Sequence, residues 1–237
     1  MKIPHASWAN IYDLAYEQSF GRFYDALTHA TIEQIKESIQ LPARIVDFGA
    51  GTGRISIPLS IYGYEVLSVE PCEEMLHQLA QKPGGASIST FLGKMQDFQT
   101  DYLFDMAICV FTVILYLLDE VSLRNSIQAA FNALRPGGLM LIDIPSKSIF
   151  QSFQRNTQIM QRKVTVSPSH DDIYLYEENI TLNQDWQSTS YIDRFQIRHW
   201  NVEFVLKILS DHGFSMTRDM SIEFAGTGSQ YFLLKKP

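Results

Sequence analysis

Apolar positions change their period three times along the chain. Between residues 8 and 40 they recur at helical spacing. Trp8, Tyr12 and Tyr16 share one face, Phe20, Phe23 and Tyr24 add to the aromatic load, and Pro42 ends the segment. From 44 to 144 short apolar runs alternate with helix-period stretches. Strands are predicted at 44–48, 65–70, 88–92, 105–110 and 138–143, helices at 53–62, 72–81 and 120–134, and a short helical piece at 112–118. Ala107 to Phe111 is almost wholly apolar, as a strand covered on both faces must be. Such alternation predicts a parallel sheet flanked by helices.

Beyond Pro145 the pattern shifts again. A polar helix is expected at 147–160. Residues 163–166, 173–176, 179–182 and 190–198 then alternate with a period of two, and 183–186 read as a hairpin connection. About 50 residues of this kind are too many for a plain loop and predict an inserted small antiparallel sheet. Asn201 is positioned to cap a helix reaching about His212. Val202, Val205, Leu206 and Leu209 form its apolar face and Gly213 its stop. Strands at 215–224 and 230–235, joined by Ala225–Ser229, predict a closing hairpin.

Composition narrows the function classes. The 237 residues carry a formal net charge of −7, and no Lys/Arg cluster exceeds Lys235-Lys236, so a nucleic-acid partner is not expected. Cys72 and Cys109 read as reduced thiols. No apolar run reaches membrane-spanning length and the start lacks a signal-peptide core, so a cytoplasmic location and no membrane partner are expected. The acidic pairs Glu73-Glu74, Asp171-Asp172 and Glu177-Glu178 show no metal-ligand spacing. They are expected to be solvated, and no metal is expected.

The candidate chemistry lies in Ile45-Val-Asp-Phe-Gly-Ala-Gly-Thr-Gly-Arg54. A β-branched run and an acid lead into glycines at 49, 51 and 53, then a helix-period run. This is a strand, a tight turn and a helix start that bring bare backbone to a nucleotide. Glu70 ends the next strand, 21 positions after Gly49; a separation of about 20 suits a carboxylate gripping a ribose diol. Arg54 occupies the last glycine/alanine position of the dinucleotide fingerprint, which disfavours the rival reading, a nicotinamide-dependent oxidoreductase.

The alternate-glycine turn resembles motif I of the class I S-adenosylmethionine-dependent methyltransferases. So do Val69 to Leu76, Gly93 to Phe98, Phe104 to Phe111 and Leu134 to Asp143, in the family's order. The resemblance implies a Rossmann-like α/β fold: a seven-stranded sheet with a C-terminal antiparallel hairpin. The remaining segments would add an inserted small antiparallel sheet and an N-terminal helical cap. Residues 1–40 would form the cap, 41–145 with 200–237 the cofactor-binding domain, and 146–199 a substrate lid. It implies S-adenosylmethionine as cofactor, held by Asp47, Gly49, Ala50, Gly51, Glu70, Pro71, Met75, Gln96, Asp97 and Val110. Cys72, Met95 and Phe111 are further candidates beside it. A small-molecule oxygen or nitrogen would be methylated. Tyr12, Tyr16 and Tyr191 are the candidate substrate contacts, and His199 and Tyr16 the candidate catalytic groups; His170 and Asp171 are further acid/base candidates. The Val110-Phe-Thr-Val sequence is not the Asn/Asp-Pro-Pro-aromatic motif of methyltransferases acting on bases and amides. A non-catalytic binder of the same cofactor would carry an identical turn.

Overall fold

The computed structural model describes residues 3–184 and 187–237. Seven strands form one sheet in the order β10-β11-β5-β4-β1-β2-β3. These are β1 (Arg44–Phe48), β2 (Glu65–Glu70), β3 (Ser89–Leu92), β4 (Phe104–Cys109), β5 (Leu134–Pro145), β10 (Ser215–Asp219) and β11 (Ser229–Lys235). Strands β1 to β5 run parallel, and β11 pairs antiparallel with both β5 and β10. Both faces are covered, which explains the unbroken apolar strands. Helices α5 (Glu120–Ala133) and α6 (Val202–Asp211) pack Leu123, Ile127, Val205 and Leu209 onto one face. Helices α2 (Arg22–Ser38) and α3 (Ser56–Tyr62) pack Ile35 and Leu59 onto the other. Helix α4 (Glu73–Gln81) follows β2 and seats Leu79 against Ile57 and Ile88. No helix among the described residues is long and apolar enough to cross a membrane.

The insertion forms a second sheet, ordered β6-β7-β8-β9 and antiparallel throughout. Its strands are β6 (Phe153–Asn156), β7 (Met160–His170), β8 (Ile173–Gln184) and β9 (Gln187–Arg198). Two expected strands, 173–176 and 179–182, are one continuous strand. Asn183 and Gln184 pair with Ser188 and Gln187, while Asp185 and Trp186 of the expected connection lie outside the described residues.

Other expectations are corrected. The 147–160 segment is not a helix: a single 3-10 turn at Lys147–Ile149 precedes strand β6. Phe153 pairs with Val164 and its ring reaches Phe20, so sheet pairing and tertiary packing override a local pattern. The 8–40 helix is broken. A 3-10 stretch at Ala6–Ile11 precedes α1 (Tyr12–Phe20), and Gly21, at φ 46°, turns the chain into α2. The 215–224 strand stops at Asp219, whose Oδ1 accepts the Ser221 N–H and bends the backbone away. Glu178 is not solvated: it is 1% exposed and paired with Arg162.

Candidate cofactor and acceptor site

The glycine turn and the acid of β2 meet. The Gly51 N–H donates to Glu70 Oε2 at 2.9 Å and the Cys72 N–H to Oε1 at 3.0 Å. Each oxygen keeps a second lone pair for a diol. Burial raises the Glu70 carboxyl above its ordinary value, and the two N–H groups oppose that shift. Gly49 and Gly51 lie at φ 73° and 56°, the left-handed region. A Cβ on Gly49 would run into Val113, whereas one on Gly51 would meet nothing within 4 Å. Open space over bare backbone, beside a carboxylate with unused lone pairs, fits the adenosyl and methionyl groups of the implied cofactor.

Asp47 stands beneath this turn. It is 4% exposed, and its Oδ2 accepts the Ser56 hydroxyl at 2.6 Å; Ser56 Oγ accepts from Ser68 at 2.7 Å. Burial pushes its carboxyl up to about 7, with Ser56 lowering it and Glu70 raising it. Asp47 thus ties β1 to the start of α3 and to β2. Ala50 is buried, and its N–H and that of Gly49 donate to Val69 O. Pro71 follows Glu70 half-buried, and Met75 packs with Cys72 and Ala9 under the 3-10 stretch. In the 3-10 turn Met95–Asp97, the Asp97 N–H already donates to Lys94 O; Asp97 is exposed, Gln96 half-buried, and Met95 belongs to the main core. Val110 is buried at the end of β4. Phe111 and Thr112 follow with φ of 64° and 70°. Two successive left-handed non-glycine residues cost on the order of 1–3 kcal/mol each and cluster at functional sites. The wholly buried Asp143 holds them by accepting the Thr112 N–H at 3.0 Å.

Aromatic side chains converge above the turn. Tyr12 stacks on Trp8 at 5.2 Å and on Tyr16 at 4.5 Å, and Tyr16 meets Tyr24 at 5.2 Å. Tyr176 stacks on Phe195 at 4.8 Å. Tyr116 lies within electrostatic reach of Glu70 on one side and Glu178 on the other. Its hydroxyl is 2.8 Å from His5 Nε2. His5 is ringed by Trp8, Tyr12, Tyr116 and Phe195, and burial, with the charge of Arg162, lowers its imidazole to about 3. Tyr191 packs against the Trp8 and Ile11 cluster that Tyr12 and Tyr16 also flank, with Asn10 Nδ2 3.5 Å from its hydroxyl. His199 has other neighbours: Asp172 Oδ1 at 3.9 Å, the Phe150 ring and Lys147. His170 bonds Ser169 on the exposed turn with Asp171.

Several residues here escaped the sequence reading. Arg162 and Glu178 carried a visible signal, since both fall on the apolar phase of their strands, among Met160, Val164, Ile180 and Leu182. His5, Tyr116 and Tyr176 carried none, because only the fold brings three distant segments together. Asp13 is another: its carboxylate accepts from the Thr52 hydroxyl at 2.7 Å and pairs with Lys82 at 2.5 Å, joining α1 to the glycine turn.

Comparison with known proteins agrees with this geometry. A family profile described as a methyltransferase domain matches residues 45–138. The Bacillus subtilis (strain 168) protein YqeM, a methyltransferase by name, is 28% identical over 89% of this chain and 90% of its own. An S-adenosylmethionine-dependent methyltransferase from Clostridium acetobutylicum superposes with a TM-score of 0.83, at 16% identity, over 96% of this chain and 98% of its own. CalS10, an amino pentose methyltransferase from Micromonospora echinaspora solved with S-adenosylmethionine bound, gives 0.77 at 16% identity, over 96% and 97%. Residues 45–138 therefore match a methyltransferase domain, and the chain as a whole takes the fold of S-adenosylmethionine-dependent methyltransferases.

Proposed function

We propose that this enzyme methylates a nitrogen or oxygen of a small polar molecule held between the glycine turn, the N-terminal helices and the inserted sheet. The observation that carries this reading is the convergence of Tyr12, Tyr16, Tyr116 and Tyr176, from three segments, into one cluster in which Tyr116 feels the carboxylate of Glu70. S-adenosylmethionine supplies an electrophilic methyl on sulfur. Glu70 would accept the ribose hydroxyls, the bare backbone of Gly49 to Gly51 would admit the methionyl chain, and the Gln96 N–H would be available to the adenine ring. The stacked rings keep water away and orient the acceptor for in-line attack. Positioning of this kind supplies about 7–11 kcal/mol in favourable cases. Tyr16 is the catalytic candidate within this cluster, its hydroxyl serving to orient the acceptor; an amine acceptor then needs only to enter neutral. The amino pentose acted on by CalS10 makes amino sugars the first class to try.

The test is release of S-adenosylhomocysteine across a panel of amino sugars, simple amines, phenols and carboxylic acids. Turnover with at least one amine or hydroxyl acceptor is expected, with loss in Tyr16→Phe exceeding any change in cofactor affinity. Cofactor binding without turnover on any acceptor would overturn the assignment.

A further inference from the structure

Arg54 enters the sequence only as the residue that disrupts a dinucleotide fingerprint, yet its surroundings are built. The guanidinium lies between two rings, 3.3 Å from the centroid of Tyr24 and 3.9 Å from that of Phe111. Nε donates to Thr28 Oγ1 at 2.6 Å and Nη2 to the Tyr24 carbonyl at 2.7 Å. Three elements thus fix one planar cation: α2, the turn at Gly53, and the left-handed Phe111 after β4. Among the described residues no carboxylate pairs with it; the side chains that act on its charge most strongly are the phenols of Tyr24, Tyr12, Tyr16 and Tyr231. Nη1 makes no hydrogen bond to the described residues and is not among the enclosed polar atoms lacking partners, so it keeps donors free on an accessible edge. A half-buried cation without a counter-ion is costly to hold unless an anion completes it.

We propose that Arg54 is the carboxylate-binding residue of the site, pairing through its free edge with the amino-acid end of the methyl donor. The inference rests on the methyltransferase reading and deepens it. A guanidinium clamped between rings has its rotamer fixed beforehand, so little ordering cost remains when an anion arrives. The carboxylate could also belong to the acceptor, and the ligands chosen separate the two sources.

The experiment is calorimetric titration of wild type, Arg54→Met and Arg54→Lys with S-adenosylhomocysteine and with 5′-methylthioadenosine, which has the same thioadenosine but no amino-acid end. Losing a charge-assisted bond should weaken S-adenosylhomocysteine binding by about tenfold or more in Arg54→Met, with methylthioadenosine changed by less than about twofold and Arg54→Lys in between. Equal loss for both ligands would make Arg54 a structural bracket and overturn the assignment. No loss for either would assign its anion to the acceptor and overturn it too. A third measurement needs no variant: wild type should bind decarboxylated S-adenosylhomocysteine about tenfold or more weakly than the parent compound, and equal affinity refutes the pairing. Wild type binding none of the three would bring down the methyltransferase reading itself.

Discussion

A buried carboxylate with only hydroxyl partners is a costly group, and Asp47 is one. Burial holds its carboxyl near 7, whereas an unfolded chain releases that proton close to 3.8. Between these values the folded chain binds a proton that the unfolded chain has lost. Stability from this group therefore falls as pH rises through that window and levels off above it. Asp47→Asn removes the slope. The melting temperature of the variant relative to wild type should rise between about pH 5 and about pH 8, which thermal melts at several pH values would show; a constant difference would mean that Asp47 titrates normally. The meeting of Glu70 with the glycine turn was legible because their spacing is set by one strand–helix–strand unit. The Asp47 partners, Ser56 and Ser68, were not: one lies on a helix and the other on the neighbouring strand, and serine at either place has no pattern of its own.

The glycine turn separates two demands that the sequence presents as one motif. Gly49 and Gly51 are both left-handed, so alanine at either costs about 1 kcal/mol in backbone strain. Gly49→Ala must also displace Val113, adding about 1–3 kcal/mol. Gly51→Ala meets no protein atom and should fold nearly as well as wild type, yet bind S-adenosylhomocysteine about tenfold or more weakly. Denaturant melts paired with titration distinguish them: Gly49→Ala fails first in stability, Gly51→Ala first in binding. Elements with strong period and local stops, such as β1, β2, α5 and α6, were read within a residue or two. Residues 147–160 were not, because Phe153 to Asn156 take their conformation from β7, and a polar edge strand has no apolar rhythm to betray it.

At the scale of the molecule, Arg162 joins the inserted sheet to the N-terminal helices. It pairs with Glu178 at 2.6 Å, donates to Ser19 Oγ at 3.0 Å and lies among the rings of Trp8, Tyr16, Phe20 and Phe153. Arg162→Ala leaves Glu178 charged or protonated in a dry interface and should cost about 3–5 kcal/mol, while the double change Arg162→Met with Glu178→Leu should recover most of it. Chemical denaturation of the three proteins checks this. That the chain forms a parallel sheet flanked by helices was foreseeable from alternation alone. This joint was not, since Ser19 and Arg162 are 143 positions apart.

Asp13 fastens the same helices to the other side, and by weaker means. Its ion pair with Lys82 leaves the two side chains 47% and 31% exposed, and such a contact contributes about 0–1 kcal/mol. Helix α1 is thus tied to the inserted sheet through the buried Arg162 and to the glycine turn through a half-exposed ion pair. Arg54 clamps α2 to that same turn, so breaking the Asp13 pair alone leaves the N-terminal segment attached there.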